Sequence, residues 1–66
     1  MELGKILQEL RKEKGLTQTE LALNLCTAQD SISLWELGKS YPDILTLIKI
    51  AQFFDVTTDY LLGLEG

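Results

Sequence analysis

Few residues in this chain are of types that carry reaction chemistry. A single cysteine, Cys26, and no histidine occur in its 66 residues. A disulfide within the chain is therefore impossible and an ordinary zinc site lacks its ligands, so neither a metal nor a cofactor is expected. No glycine-rich loop is present to cradle a phosphate, and no nucleophile has a base at hand. General acid–base and covalent catalysis both lack their parts, and an enzymatic role is not expected. The balance of charge is acidic, with 6 Lys and Arg against 10 Asp and Glu and a net charge of −4. Chains that bind nucleic acid usually show a basic footprint, so any attraction to phosphate here must come from a local patch rather than from the total.

The frame that positions these residues has to be small and held by packing alone. A chain of this length has room for one domain, 1–66, and a short chain buries a smaller fraction of its surface than a long one. Its apolar content of 45% with 24% charged residues lies in the ordinary globular range. No apolar run approaches the length of a membrane span, and Met1 to Gln8 lacks the order of a secretory signal. With an unpaired thiol as well, a cytoplasmic location is expected.

Periodicity divides the chain into five helices. Leu3, Ile6, Leu7 and Leu10 share one helical face, and Gly15 follows the charged stretch Arg11 to Lys14 as a stop. Thr17 and Glu20 have the spacing of a capping box, and Leu21, Ala22 and Leu25 continue as an apolar stripe of about two turns. Ile32, Trp35 and Glu36 mark a third short helix from about Ala28 to Leu37. Gly38, Ser40 and Pro42 mark a loop, and Asp43 is placed to cap a fourth helix with Ile44, Leu47, Ile48, Ala51 and Phe54 at helical spacing. Thr57 is a candidate N-cap for a last helix carrying Tyr60, Leu61 and Leu62, which Gly63 stops. With no β-alternation and short connections, the expected fold is a compact all-α domain around one core. Two short helices joined by a tight turn, over residues 18–37, form the geometry of a helix-turn-helix.

Several separate blocks in this order resemble one family. They are RKEKGLTQTELA from Arg11 to Ala22, QTELALNLCTAQDSISLWEL from Gln18 to Leu37, SISLWELGKSYPD from Ser31 to Asp43, and AQFFDVTTDYLLG from Ala51 to Gly63. The chain is similar to the Cro and lambda-repressor-like regulators, also called the xenobiotic-response-element family. The resemblance spans almost all of the chain and implies a five-helix lambda-repressor-like domain that binds double-stranded DNA and regulates transcription, most simply as a repressor. It implies that the helix beginning near Gln29 lies in the major groove, with Gln29, Asp30, Ser31 and Leu34 toward base edges. The Gln29 carboxamide both donates and accepts, which suits adenine. Thr17, Gln18, Thr19, Lys39 and Ser40 would by the same resemblance hold phosphates and position the domain.

Other positions are expected to be structural. The family pattern pairs Arg11 with Glu36 as a partly buried ion pair, since a buried charge is costly without a partner. Trp35 shares a face with Ile32 and is expected in the core rather than stacked on a base. Cys26 stands in a turn where the family prefers Gly or Asn, residues that accept a left-handed backbone, and is expected to be a plain turn residue. Leu23, Leu34, Leu37 and Leu45 replace residues that are commonly polar or basic in the family. Their exposure would offer a contact surface for a partner protein, on a domain that had lost much of its DNA affinity. A homodimer on a palindromic operator is expected, associating through the last helices, with Phe54, Tyr60, Leu61 and Leu64 as candidates for that face.

Overall fold

A computed structural model describes residues 2–65 of the chain. It contains five helices: α1 (Leu3–Glu13), α2 (Gln18–Leu25), α3 (Gln29–Glu36), α4 (Ile44–Phe54) and α5 (Thr58–Leu61), and no strand among the described residues. The body measures 29 × 23 × 20 Å. The all-α fold expected from periodicity is the fold observed.

Side-chain caps open three of the helices. The Thr17 hydroxyl accepts the Glu20 amide at 3.1 Å while the Glu20 carboxylate accepts the Thr17 amide at 2.9 Å, a reciprocal capping box. The Asp43 carboxylate accepts the Thr46 amide at 2.8 Å, and the Thr57 hydroxyl accepts the Tyr60 amide at 3.0 Å. Each cap satisfies a donor that has no partner within its own helix.

One core joins all five helices: Leu3 and Leu7 from α1, Leu21, Ala22 and Leu25 from α2, Ile32 and Trp35 from α3, Ile50, Ala51 and Phe54 from α4, and Leu61 from α5. Ile6, Leu10, Leu16, Leu47, Phe53 and Val56 pack around it. Gly4 allows α1 to approach α3. A Cβ built on it would lie 2.6 Å from the Trp35 carbonyl oxygen and 2.7 Å from that of Glu36.

Two expectations are corrected by this core. On α4 the buried face runs through Leu47, Ile50, Ala51 and Phe54, whereas Ile44 and Ile48 are exposed. Eight of the eleven α4 residues are apolar, so several overlapping stripes fit helical spacing and only packing selects one. Phe54 and Leu61, expected at a dimer face, are 8% and 0% exposed within the single chain. Their side chains are already consumed by the core, so they have no surface to offer a second copy. Tyr60 and Leu64 remain exposed. No described helix is long and apolar enough to cross a membrane.

Candidate nucleic-acid interface

Three residues, Cys26 to Ala28, separate α2 from α3. Cys26 ends α2 in the left-handed region, at φ 55° and ψ 45°. The Cys26 and Thr27 amides donate back to the carbonyls of Leu23 and Ala22 at 3.3 and 2.9 Å, which closes the turn. Lys49 of α4 adds a bond from its ammonium to the Leu25 carbonyl at 2.8 Å. A cation at a helix C-terminus is stabilising because the last carbonyls there lack partners. Spacing gave no sign of this contact, since 24 residues separate the two groups.

With Ile32 and Trp35 turned into the core, the opposite face of α3 is left to solvent. Gln29, Asp30, Leu34 and the following Leu37 are exposed, Ser33 is half-buried, and Ser31 lies half-buried at the margin. The exposed side chains thus stand on the surface on the side away from Trp35.

Behind this face runs a chain of polar contacts. The Arg11 guanidinium donates to Glu36 through Nε at 2.6 Å and Nη2 at 3.2 Å, and to the Leu16 carbonyl through Nη1 at 2.8 Å. The two side chains are 11% and 3% exposed, and a buried pair is tolerable when its remaining polar atoms are also bonded. Gln18 Nε2 supplies one of those bonds, to Glu36 Oε1 at 3.0 Å. Gln29 Nε2 then donates to Gln18 Oε1 at 2.7 Å. Ionised Glu36 only accepts, so Gln18 turns its NH₂ inward and its carbonyl outward, and Gln29 has to answer with its own NH₂. Gln29 is exposed, and its second N–H and its carbonyl oxygen make no hydrogen bond among the described residues. This relay ties a surface amide to the buried Arg11–Glu36 pair that the family pattern implied, whereas its links through Gln18 and Gln29, across 18 and 11 positions, were not legible from the sequence.

The residues expected to hold phosphates are distributed around that face. Thr17 and Thr19 are exposed at the start of α2, and Lys39 is exposed in the loop after α3, with Ser40 half-buried beside it. The Thr17 amide is occupied by Glu20 and both ends of the Gln18 carboxamide belong to the relay. What α2 presents outward is therefore the backbone N–H groups of Gln18 and Thr19, at the positive end of the helix dipole. The cations are sparse around it. Lys5, Arg11 and Lys12 are on α1, Lys14 lies over the Phe53 ring at 5.2 Å, and Lys49 is bonded to Leu25. Asp30 and Glu20 add negative charge at the starts of α3 and α2. The Glu20 carboxyl is held below its ordinary value of 4.5 by the Thr17 amide and then the Thr17 side chain.

Among the described residues no three His, Cys, Asp or Glu come together in a group that could hold a metal ion. Leu23, Leu34, Leu37 and Leu45 are all exposed, from 42% at Leu34 to 76% at Leu45.

Comparison with known proteins places this geometry in context. The helix-turn-helix family profile matches residues 7–61. The chain is 48% identical over 65 residues to the HTH-type transcriptional activator BcrR of Enterococcus faecalis, covering 98% of this chain and 32% of that protein. It is 43% identical over 63 residues to the HTH-type transcriptional regulator ImmR of Bacillus subtilis, covering 96% of this chain and 50% of that protein. An uncharacterised HTH-type regulator of the same bacterium, YqaE, is 43% identical over 60 residues, covering 91% of this chain and 52% of that protein. The chain thus spans about a third to a half of the length of these relatives. With the profile running from α1 to the end of α5, the chain belongs to the helix-turn-helix family of Cro and lambda-repressor-like regulators.

Proposed function

We propose that this domain binds double-stranded DNA in a sequence-dependent manner and regulates transcription, with α3 in the major groove. The observation that carries this reading is the Gln29 carboxamide, exposed at the start of α3 and held through Gln18 by the buried Glu36–Arg11 pair. An amide fixed before binding loses little freedom on contact, and its free N–H and oxygen match the donor and acceptor of adenine in the major groove. In this reading Gln29, Asp30, Ser31 and Leu34 face base edges. The amides of Gln18 and Thr19, with Thr17, Lys39 and Ser40, hold phosphates on either side.

Repression is the output assigned, by occlusion of the bound stretch. The relative named an activator carries a similar domain within a longer chain. Two copies on a palindromic operator would set their α3 helices one duplex turn apart, about 34 Å. Tyr60 and Leu64 are the surface candidates for association, and sedimentation at micromolar concentration with Leu64→Asp as control tests the dimer.

Selection from a pool of random duplexes at low salt tests the DNA reading. Enrichment of a defined half-site that is lost with Gln29→Ala is the expected result. A pool that enriches nothing would sink it. The exposure of Leu37, Leu45 and Ile44 favours a second reading, a protein-interaction module on the same fold. That reading is selected if the duplex pool stays flat while substitution of Leu37 and Leu45 by Ser abolishes a protein contact.

A further inference from the structure

The exposed face of α3 carries an unusual set of groups for a surface that meets base edges. From Gln29 to Gly38 there is no Lys and no Arg, so the cationic donors that most often read guanine O6 and N7 are missing. In their place stand a carboxylate, Asp30, and one helical turn further an aliphatic side chain, Leu34. Both are exposed, on the side of α3 opposite Ile32 and Trp35, which fill the core. Leu34 is therefore not required to complete the interior.

Each group favours one complement in the major groove. A carboxylate only accepts, so it is repelled by the two acceptors of guanine, and it favours the N4 amino group of cytosine over the N6 amino group of adenine, which stands beside the N7 acceptor of the same base. An aliphatic side chain gains only by covering apolar surface, and the 5-methyl of thymine is the apolar group on that edge. The four-residue separation of Asp30 and Leu34 is about 6 Å along the helix axis, close to two base-pair rises.

Resting on the DNA reading above, we propose that α3 selects its operator without a cationic guanine contact, Asp30 taking the cytosine amino group and Leu34 the methyl group of a thymine about two base pairs away. The half-site is then an A·T-rich edge with a single cytosine preference, and discrimination at the thymine is made by a methyl group rather than by a hydrogen bond. The negative charge of Asp30 also favours the N-terminal turn of α3, but that role makes no demand on the base opposite it.

The test replaces each thymine of the selected half-site in turn by deoxyuridine, which removes only the methyl group. Wild type should lose about fourfold in affinity at one position, the value of one buried methyl. Leu34→Ala should bind the thymine and uracil duplexes equally. Asp30→Asn should relax the cytosine preference by about tenfold, because an amide donates as well as accepts. Tight binding of a selected duplex with no methyl-sensitive thymine, or with methyl sensitivity that survives Leu34→Ala, overturns the proposal and leaves the DNA reading standing. A pool that enriches no duplex overturns both.

Discussion

At Cys26 the backbone turns through φ 55° with a side chain attached. A left-handed residue other than glycine costs roughly 1–2 kcal/mol, which glycine avoids at the expense of some chain entropy in the unfolded state. Cys26→Gly should therefore raise stability by up to about 1 kcal/mol, seen as a gain of about 4–8 °C in thermal midpoint for a domain of this size. An unchanged or lower midpoint would show that the cysteine is held by contacts that offset its strain. Gly4 presents the opposite case. In an open helix alanine is preferred to glycine by about 1 kcal/mol. Here a Cβ would meet two backbone oxygens at 2.6 and 2.7 Å, neither of which can swing aside. Gly4→Ala is accordingly expected to destabilise by about 1–3 kcal/mol, the usual range for an overpacked contact. Urea denaturation gives the sign directly. Neither effect follows from residue type alone, since both depend on what stands opposite.

Among the elements, α2 and α4 both begin on exposed carboxylate contacts whose ionisation is coupled to folding. The Thr17 amide and then the Thr17 side chain lower the Glu20 carboxyl from 4.5, and the Thr46 amide and then its side chain lower Asp43 from 3.8. A lowered folded value means that the ionised form is favoured in the native state. The stabilisation is complete above the ordinary values and is lost as pH falls through the lowered ones. The thermal midpoint should thus begin to fall as pH drops below about 4.5. Glu20→Gln and Asp43→Asn should each start from a lower midpoint at neutral pH and show a flatter acid limb. Parallel limbs for wild type and variants would remove the caps from the account. These two caps were legible in the sequence because they act between residues three apart. The buried face of α4 was not, because a helix so rich in apolar residues offers several faces and the choice depends on what α2 and α5 present to it.

For the whole molecule, the distribution of charge matters more than its sum of −4. Among the described residues, Lys39 is the one exposed lysine beside α3 with no side-chain bond, while Lys14 and Lys49 are engaged with Phe53 and Leu25. Counterion release then involves few phosphates. A dimer using Lys39 from each copy should show a slope of log affinity against log salt of about −2. Titrations between low and moderate salt measure it. A slope steeper than about −5 would mean that the lysines of α1 also reach the duplex and that the site is larger than α3 and its flanks.

The order of five helices, their caps and the helix-turn-helix between Gln18 and Leu37 were determined by the sequence itself, because each rests on residues within one or two turns of one another. The tertiary structure alone decided which leucines and phenylalanines are consumed by the core, moving Phe54 and Leu61 inside and Ile44 outside. It also decided how Gln29 is aimed, through partners on α1, α2 and α3. Local spacing constrains a helix, but burial and hydrogen-bond direction are properties of what other helices bring to it.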